Sequence, residues 1–207
     1  MATLMSLAVF AQTSDYKKAE VFVGYSNNQV DSGLSVDENF DGINDDRSSF
    51  HGFNVSGVYN FSRYLGVKGD ISGTYNNKRF DFTVPTVPPS TGQVSFVTNN
   101  SLYNFLGGIQ IKDNASDKRL KPFAHILAGV GHGRIKVKNV VCDPDVDCSG
   151  IAGSVSETGL AGAFGGGLDV KLSDRVDLRA IQVDYNPIRF DGATTHNVRF
   201  GIGLVFK

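Results

Sequence analysis

One polar segment of the chain has the residue spacing of a cation site. In VDENFDGINDDRSS, carboxylate and amide oxygens recur at alternate positions before a glycine, which is the ligand pattern of a calcium-binding loop. The residues that would hold the ion are Asp37, Asn39, Asp41 and Asp45. Ser48 stands where such a loop carries its bidentate acid. Weak calcium binding and a solvated acidic loop are therefore both open, and no other cofactor is expected.

The two cysteines, Cys142 and Cys148, lie in the loop-like segment VVCDPDVDCSG. A disulfide closing so short a ring would stabilise the fold by about 2 kcal/mol in the loop-entropy view. A metal site that also uses Asp143, Asp145 and Asp147 is the alternative, but two thiols are weak grounds for zinc. We predict the disulfide, which fits an exported protein in an oxidising compartment.

A third set of ionisable residues recurs at alternate positions of strand-like segments. The set is Glu20, Lys68, Asp70, His125, Asp169, Arg179 and Arg199. No Ser-His-Asp spacing, nucleophile elbow or metal-ligand cluster is recognisable among these residues, so no catalytic residue is predicted. Because both signs of charge occur, we interpret them as a network of paired charges in a narrow interior.

The elements that carry these residues are strands. Apolar and polar residues alternate and helical periodicity is almost absent, which predicts an all-β fold. The predicted strands are 18–26, 50–61, 65–75, 101–111, 121–134, 158–171, 176–185 and 196–206. The alternation slips once in 176–185, which predicts a bulge. Strands of about ten residues are long enough to cross a bilayer at a tilt.

The predicted connections alternate in length. Long polar segments cover 27–49, 76–100, 135–157 and 186–195, and short ones cover 62–64, 112–119 and 173–175. Long outer loops and short periplasmic turns are typical of outer-membrane barrels. We therefore predict an eight-stranded antiparallel up-and-down transmembrane β-barrel with both termini at the short turns.

The two faces of the strands differ in composition. One is apolar throughout, while the other carries the charges and many glycines, and 24 of the 207 residues are glycine. Glycines on the charged face would give a narrow lumen room for Arg179, Arg199 and their acidic partners. This set includes Gly129, Gly131, Gly165, Gly167, Gly201 and Gly203. Tyrosines and phenylalanines near strand ends resemble two interfacial girdles. A soluble eight-stranded barrel that binds a small ligand is the alternative, but such a barrel would require an apolar lumen.

The composition and the first residues of the chain limit which other classes of protein are possible. With a net charge of −1, the chain lacks the excess of basic residues that is typical of nucleic-acid-binding proteins. After the start, no run of 18 apolar residues predicts a membrane helix. Residues 1–11, MATLMSLAVFA, are expected to be a truncated signal-peptide remnant, and 12–207 the barrel domain. An ordinary N-terminal segment is the alternative.

Several stretches resemble one family. These are HGFNVSGVYNFSRYLGVKGDISGTY, LKPFAHILAGVGHGR, GGGLDVKLSDRVDLRAIQVDYNPIRF and NVRFGIGLVF. Together they are similar to the OmpA-like transmembrane barrels, a small outer-membrane β-barrel family of Gram-negative bacteria, over nearly all of 18–206. One departure is Lys207 after Phe206, since the family usually ends on the aromatic residue.

The resemblance implies export through the periplasm and insertion into the outer membrane by the barrel-assembly machinery. The expected partners are outer-membrane lipids and lipopolysaccharide, and a monomer is expected. The expected function is non-enzymatic, in membrane integrity and the display of four extracellular loops. One alternative is a lipid-modifying enzyme, for which only His51, His132 and His196 lie near the outer rim. The other is a narrow, low-conductance pore, which the mixed lumen charges would block.

Overall fold

The protein is an eight-stranded β-barrel, as predicted. The computed structural model describes residues 16–31, 47–85 and 91–207. The strands are β1 Ala19–Asp31, β2 Arg47–Asn60, β3 Leu65–Pro85, β4 Thr91–Lys112, β5 Leu120–Cys142, β6 Gly153–Lys171, β7 Val176–Phe190 and β8 Ala193–Phe206. Each strand pairs antiparallel with its sequence neighbours, and β1 pairs with β8 to close the barrel. No helix in the described ranges is long and apolar enough to span a membrane.

At one end of the barrel, the strands run much further than the alternation predicted. β3 and β4 pair from Leu65↔Ile111 to Pro85↔Thr91, so most of the predicted loop 76–100 is a hairpin. β5 and β6 pair as far as Val137↔Gly153, within the predicted loop 135–157. The prediction of long loops was wrong in these segments. We call this end of the barrel the long-hairpin end and the opposite end the short-turn end.

Two local features explain the extended hairpins. The rings of Phe80, Phe82 and Phe96 cluster across β3 and β4, with centroids 5.5–6.0 Å apart. Such cross-strand aromatic contacts stabilise strand pairing outside a core. Between β7 and β8 the connection is only Asp191-Gly192, with φ of 37° and 87°. A two-residue turn with left-handed backbone favours Asp-Gly, so this dipeptide was a hairpin signal inside the predicted loop 186–195.

Side chains alternate between the lumen and the outer surface as the faces predicted. In β2, for example, Asn54 and Ser56 are buried in the lumen, whereas Phe53 and Val55 are exposed on the outside. The predicted bulge in β7 is also present, because the register of β7 and β8 shifts between Arg179 and Gln182. The bulge allows both of these side chains to enter the lumen.

Glycines set how closely the lumen can be packed. Gly24 and Gly203 are register partners on β1 and β8, and a Cβ at Gly203 would lie 2.9 Å from the ring of Phe22. A Cβ at Gly167 would lie 2.9 Å from the ring of Phe123. At Gly203 and Gly167 a phenylalanine ring, and not an arginine, lies in the space that the glycine leaves. At Gly165 this space holds the carboxylate of Asp184, an acidic partner of Arg199, as the sequence predicted.

We predict that Gly203→Leu destabilises the barrel by about 2 kcal/mol or more, because overpacking a close-packed interior forces the backbone to shift. The matched control is Gly57→Leu on the outer face, where a Cβ would meet nothing within 4 Å. Urea titration of the heat-modifiable gel shift in detergent micelles measures both variants. Equal midpoints for the two variants would contradict the packing argument.

Candidate functional site

The lumen near the short-turn end contains a connected network of buried charges. Lys112 Nζ donates to Glu20 at 2.9 Å and to Asp169 at 2.8 Å. Arg179 Nε donates to the other oxygen of Asp169 at 2.8 Å, and Arg179 Nη1 donates to Gln182 at 2.9 Å. Four strands, β1, β4, β6 and β7, are joined by these contacts.

A second cluster continues the network towards the middle of the barrel. Arg199 donates to Asp184 and to Asp70, each at 2.8 Å. The Lys68 ammonium lies 3.2 Å from His125 Nδ1 and 4.0 Å from Asp70. His125 Nε2 is 2.9 Å from Asp184, without the alignment of a hydrogen bond. Gln182 Nε2 donates to Asp184 at 2.7 Å and so links the two clusters.

The Arg179 guanidinium is held between two aromatic rings. Its Cζ lies 4.0 Å from the ring centroid of Phe123 and 4.5 Å from that of Phe22. Cation–π contacts gain strength when both partners are desolvated, as they are in this lumen. Glycines such as Gly203 and Gly167 leave space for the two phenylalanine rings, and the rings in turn position Arg179. These glycines therefore support the charge network indirectly.

All seven charged residues that the sequence singled out lie in this network. Its other members include Lys112, Gln182 and Asp184, which the sequence did not single out as part of a network. Lys112 was assigned to a connection, although it continues the alternation of β4 by one step beyond Gln110. Asp184 follows the bulge in β7, so its position relative to Arg179 could not be read without knowing where the bulge lies.

Above the charges, apolar side chains fill the lumen towards the long-hairpin end. The cluster comprises Phe50, Leu102, Leu106, Leu127, Ala161, Ala163 and Ile188, with Val30 and Phe190 packed against it. The lumen is of mixed character at this level, because the amide side chains of Asn28, Asn186 and Asn197 are buried beside the apolar cluster. The charge network and this mixed region together fill the interior with side chains that are nearly inaccessible to solvent.

The outer surface is the reverse of a soluble protein's surface. Apolar side chains such as Val67, Ile109 and Ile126 are more than half exposed. Aromatic residues flank this apolar surface at both ends. They are Tyr25, Tyr75 and Tyr185 towards the long hairpins, and Tyr59, Phe61, Tyr64 and Phe206 towards the short turns. An apolar band between two aromatic girdles is the surface that a bilayer covers.

The sequence profile described as the outer membrane protein beta-barrel domain matches residues 1–206. The chain belongs to this family. Its barrel is therefore that of a bacterial outer-membrane protein, with the apolar surface in contact with lipid. In such barrels, the short turns face the periplasm and the longer connections face the exterior.

Two solved structures share the fold of this outer-membrane barrel. Ail, the attachment invasion locus protein of Yersinia pestis, is 20% identical, with 91% of this chain and 98% of that chain covered and a TM-score of 0.55. That structure is a complex with the heparin analogue sucrose octasulfate. Neisserial surface protein A is 14% identical, with 94% and 97% covered and a TM-score of 0.52. No curated protein sequence matches the chain.

The outer-membrane barrel carries its cysteines at the tip of the β5–β6 hairpin. Cys142 and Cys148 form a disulfide there, with Cα atoms 6.5 Å apart. The predicted calcium-loop residues Asp37, Asn39, Asp41 and Asp45 lie outside the described residues. Within the described ranges, no group of three or more His, Cys, Asp or Glu residues is placed to hold a metal ion.

The rim histidines of the barrel each have a hydroxyl partner on the outer face. Tyr25 is hydrogen-bonded to His51 and stacked on its ring, and Tyr185 contacts His196 in the same way. His132 Nδ1 lies 2.8 Å from the hydroxyl of Thr158. Ser49 Oγ lies 3.4 Å from His51 Nε2, a contact that the sequence did not single out.

We predict that Arg199→Leu destabilises the barrel by about 3–5 kcal/mol, because it leaves the buried carboxylates of Asp70 and Asp184 without their arginine. Adding Asp70→Asn and Asp184→Asn should restore part of this loss by removing the unpaired charges. Urea midpoints of the folded gel band in detergent micelles measure each variant.

The control for Arg199 is Arg63→Leu at the short-turn end. Arg63 Nε lies 2.9 Å from Asp113 on the exposed surface, and this hydrogen bond lowers the pKa of Asp113. Exposed pairs contribute little to stability, so the midpoint should hardly move. If Arg199→Leu and Arg63→Leu behaved alike, the lumen network would not be what stabilises the barrel.

Proposed function

We propose that this protein is a non-enzymatic structural barrel of the outer membrane, which supports the integrity of the membrane and displays its hairpins outside the cell. One observation carries the proposal: the lumen is filled by paired charges and an apolar cluster, while the outer surface is apolar. A barrel without an open interior can act only through its two surfaces, the lipid-facing wall and the projecting hairpins.

The expected partners follow from these surfaces. The wall contacts outer-membrane lipids, including lipopolysaccharide, and the barrel works as a monomer. We also propose that the protein is exported through the periplasm and inserted into the outer membrane by the barrel-assembly machinery. The filled lumen argues against the alternative of a narrow pore, because an ion would have to break desolvated charge pairs such as Arg199–Asp184.

Deletion of the gene tests the structural role. We expect cells without the protein to take up more of a hydrophobic fluorescent dye, and the wild-type gene to restore the barrier. A shortened variant, in which Asn-Gly replaces residues 78–98, removes the outer part of the β3–β4 hairpin between register partners Lys78 and Thr98. It should restore the barrier equally well if the barrel wall is responsible. Unchanged dye uptake after deletion would contradict the structural role.

A second candidate function, hydrolysis of an acyl ester at the outer rim, is favoured by the contact between Ser49 and His51. Asn27 and Gln29 also donate to Ser49 Oγ, at 2.7 and 3.0 Å. In such a reaction His51 Nε2 would take the Ser49 proton as Oγ attacks the ester carbonyl and would pass it to the leaving alcohol. Water would then release the fatty acid from Ser49.

Covalent labelling decides between these functions. If Ser49 is a nucleophile, a fluorophosphonate probe should label the purified barrel in mixed phospholipid–detergent micelles, and Ser49→Ala should abolish both the labelling and fatty-acid release. Ser156→Ala, an exposed serine of β6, is the matched control. Absence of labelling in the wild-type protein removes the hydrolase and leaves the structural proposal standing.

A further inference from the structure

Three basic residues follow one another on the outer face of β5. Arg134, Lys136 and Lys138 alternate along the strand with Ile135 and Val137. Alternation places them on the same face as the exposed Val130 and Ile126, which contact lipid lower on the same strand. The register with β4 is regular from Phe123 to Lys138, so no bulge turns any of the three side chains inward.

The strands on either side contribute no acid to this surface. Arg134 is flanked by Ser101 and Ser156 in register, and Lys136 by Asn99 and Ser154. Lys138 stands opposite Val97. Glu157 is opposite Gly133, one step out of phase, and therefore faces the other side of the sheet. Among the described residues, the three cations have hydroxyl and amide neighbours but no ion-pair partner.

The surface begins directly above the outer aromatic girdle. His132 pairs in register with Tyr103, whose hydroxyl is 2.9 Å from that of Tyr75. At about 3.4 Å per residue, Arg134 is about 7 Å and Lys138 about 20 Å further along the strand than His132. The lipid headgroups form a layer of about 5–8 Å in each leaflet, so Arg134 lies within this layer and Lys136 and Lys138 lie above it. Long basic side chains reach several ångströms along the wall, which brings the lysine ammonium groups towards the headgroups from above.

The charge distribution distinguishes this surface from the rest of the barrel exterior. At the short-turn end, Lys171 is paired with Asp117 and Asp174, and Arg63 with Asp113. At the tip of the β5–β6 hairpin, the disulfide loop is acidic, with Asp143, Asp145 and Asp147. Lys118, Arg119 and Arg175 at the short-turn end carry positive charge as well, but they lie on the periplasmic side. On the exterior side, Arg134, Lys136 and Lys138 form a row of positive charge between the girdle and the hairpin tip, where an anionic headgroup would lie.

We propose that Arg134, Lys136 and Lys138 form a binding site for the phosphate groups of an anionic outer-leaflet lipid, a phosphorylated acyl-disaccharide of the lipid A class. The acyl chains would lie on the apolar wall below β5, and the phosphates would accept hydrogen bonds from the three side chains. The site rests on the proposed function, because it gives the lipid contact of that function a defined position.

Native mass spectrometry of the detergent-solubilised barrel, titrated with bis-phosphorylated lipid A, tests the site. The test variant combines Arg134→Gln, Lys136→Gln and Lys138→Gln. The matched control removes the same charge at the short-turn end, with Lys118→Gln, Arg119→Gln and Arg175→Gln. Because each cation near an anionic lipid surface contributes about fivefold to association, we expect the test variant to lose affinity on the order of 100-fold at low salt, with the control unchanged.

Two further ligands separate the sources of anionic charge. Dephosphorylated lipid A should bind the wild-type barrel as weakly as it binds the test variant, and inorganic phosphate should not compete. Equal binding of lipid A to wild type and test variant would overturn the site, as would an equal loss in the control. A heparin fragment that bound through the three residues while lipid A did not would also overturn it. The dye-uptake measurement on the deletion strain is independent of these outcomes.

Discussion

The narrowness of a closed eight-stranded barrel is the constraint on which the rest of this structure depends. Side chains from all strands meet in a narrow lumen, where burying a charge without a partner is costly. The bridging of Glu20 and Asp169 by Lys112, and of Asp70 and Asp184 by Arg199, pairs these buried charges. Cutting the link between Lys112 and Glu20, for example, leaves the buried carboxylate of Glu20 without its counter-ion.

The same constraint separates the roles of the two faces. Because the lumen is occupied by structural contacts, recognition is left to the outer wall and to the strands that project beyond the membrane. The hairpins extend as paired strands, with main-chain hydrogen bonds and the Phe80–Phe96 contact to order them. They hold exposed residues such as Arg134 at a fixed height above the girdle, which a flexible loop would not do.

Much of the fold follows from alternation alone. A strand buried on one face and covered by lipid on the other has a period of two, and this period predicted the number of strands, their facing and the bulge in β7. It failed for the β3–β4 hairpin extension, because the asparagine pairs Asn76–Asn100 and Asn77–Asn99 interrupt the apolar alternation where the strands leave the membrane. The seven charged residues of the network could be predicted as a set, but not their pairing, because partners such as Asp70 and Arg199 are 129 positions apart.

The sequence by itself determined the class of the protein: an all-β barrel with an apolar wall, a charged interior and glycines where the interior is tight. These are properties of periodicity and composition, which need no knowledge of distant contacts. Only the tertiary structure decided which carboxylate holds which cation and that Phe22 and Phe123 enclose Arg179. It also decided that three basic side chains of β5 stand without acidic neighbours. Each of these arrangements depends on the register between strands and on closure of the barrel. Closure brings together residues that are far apart in the sequence.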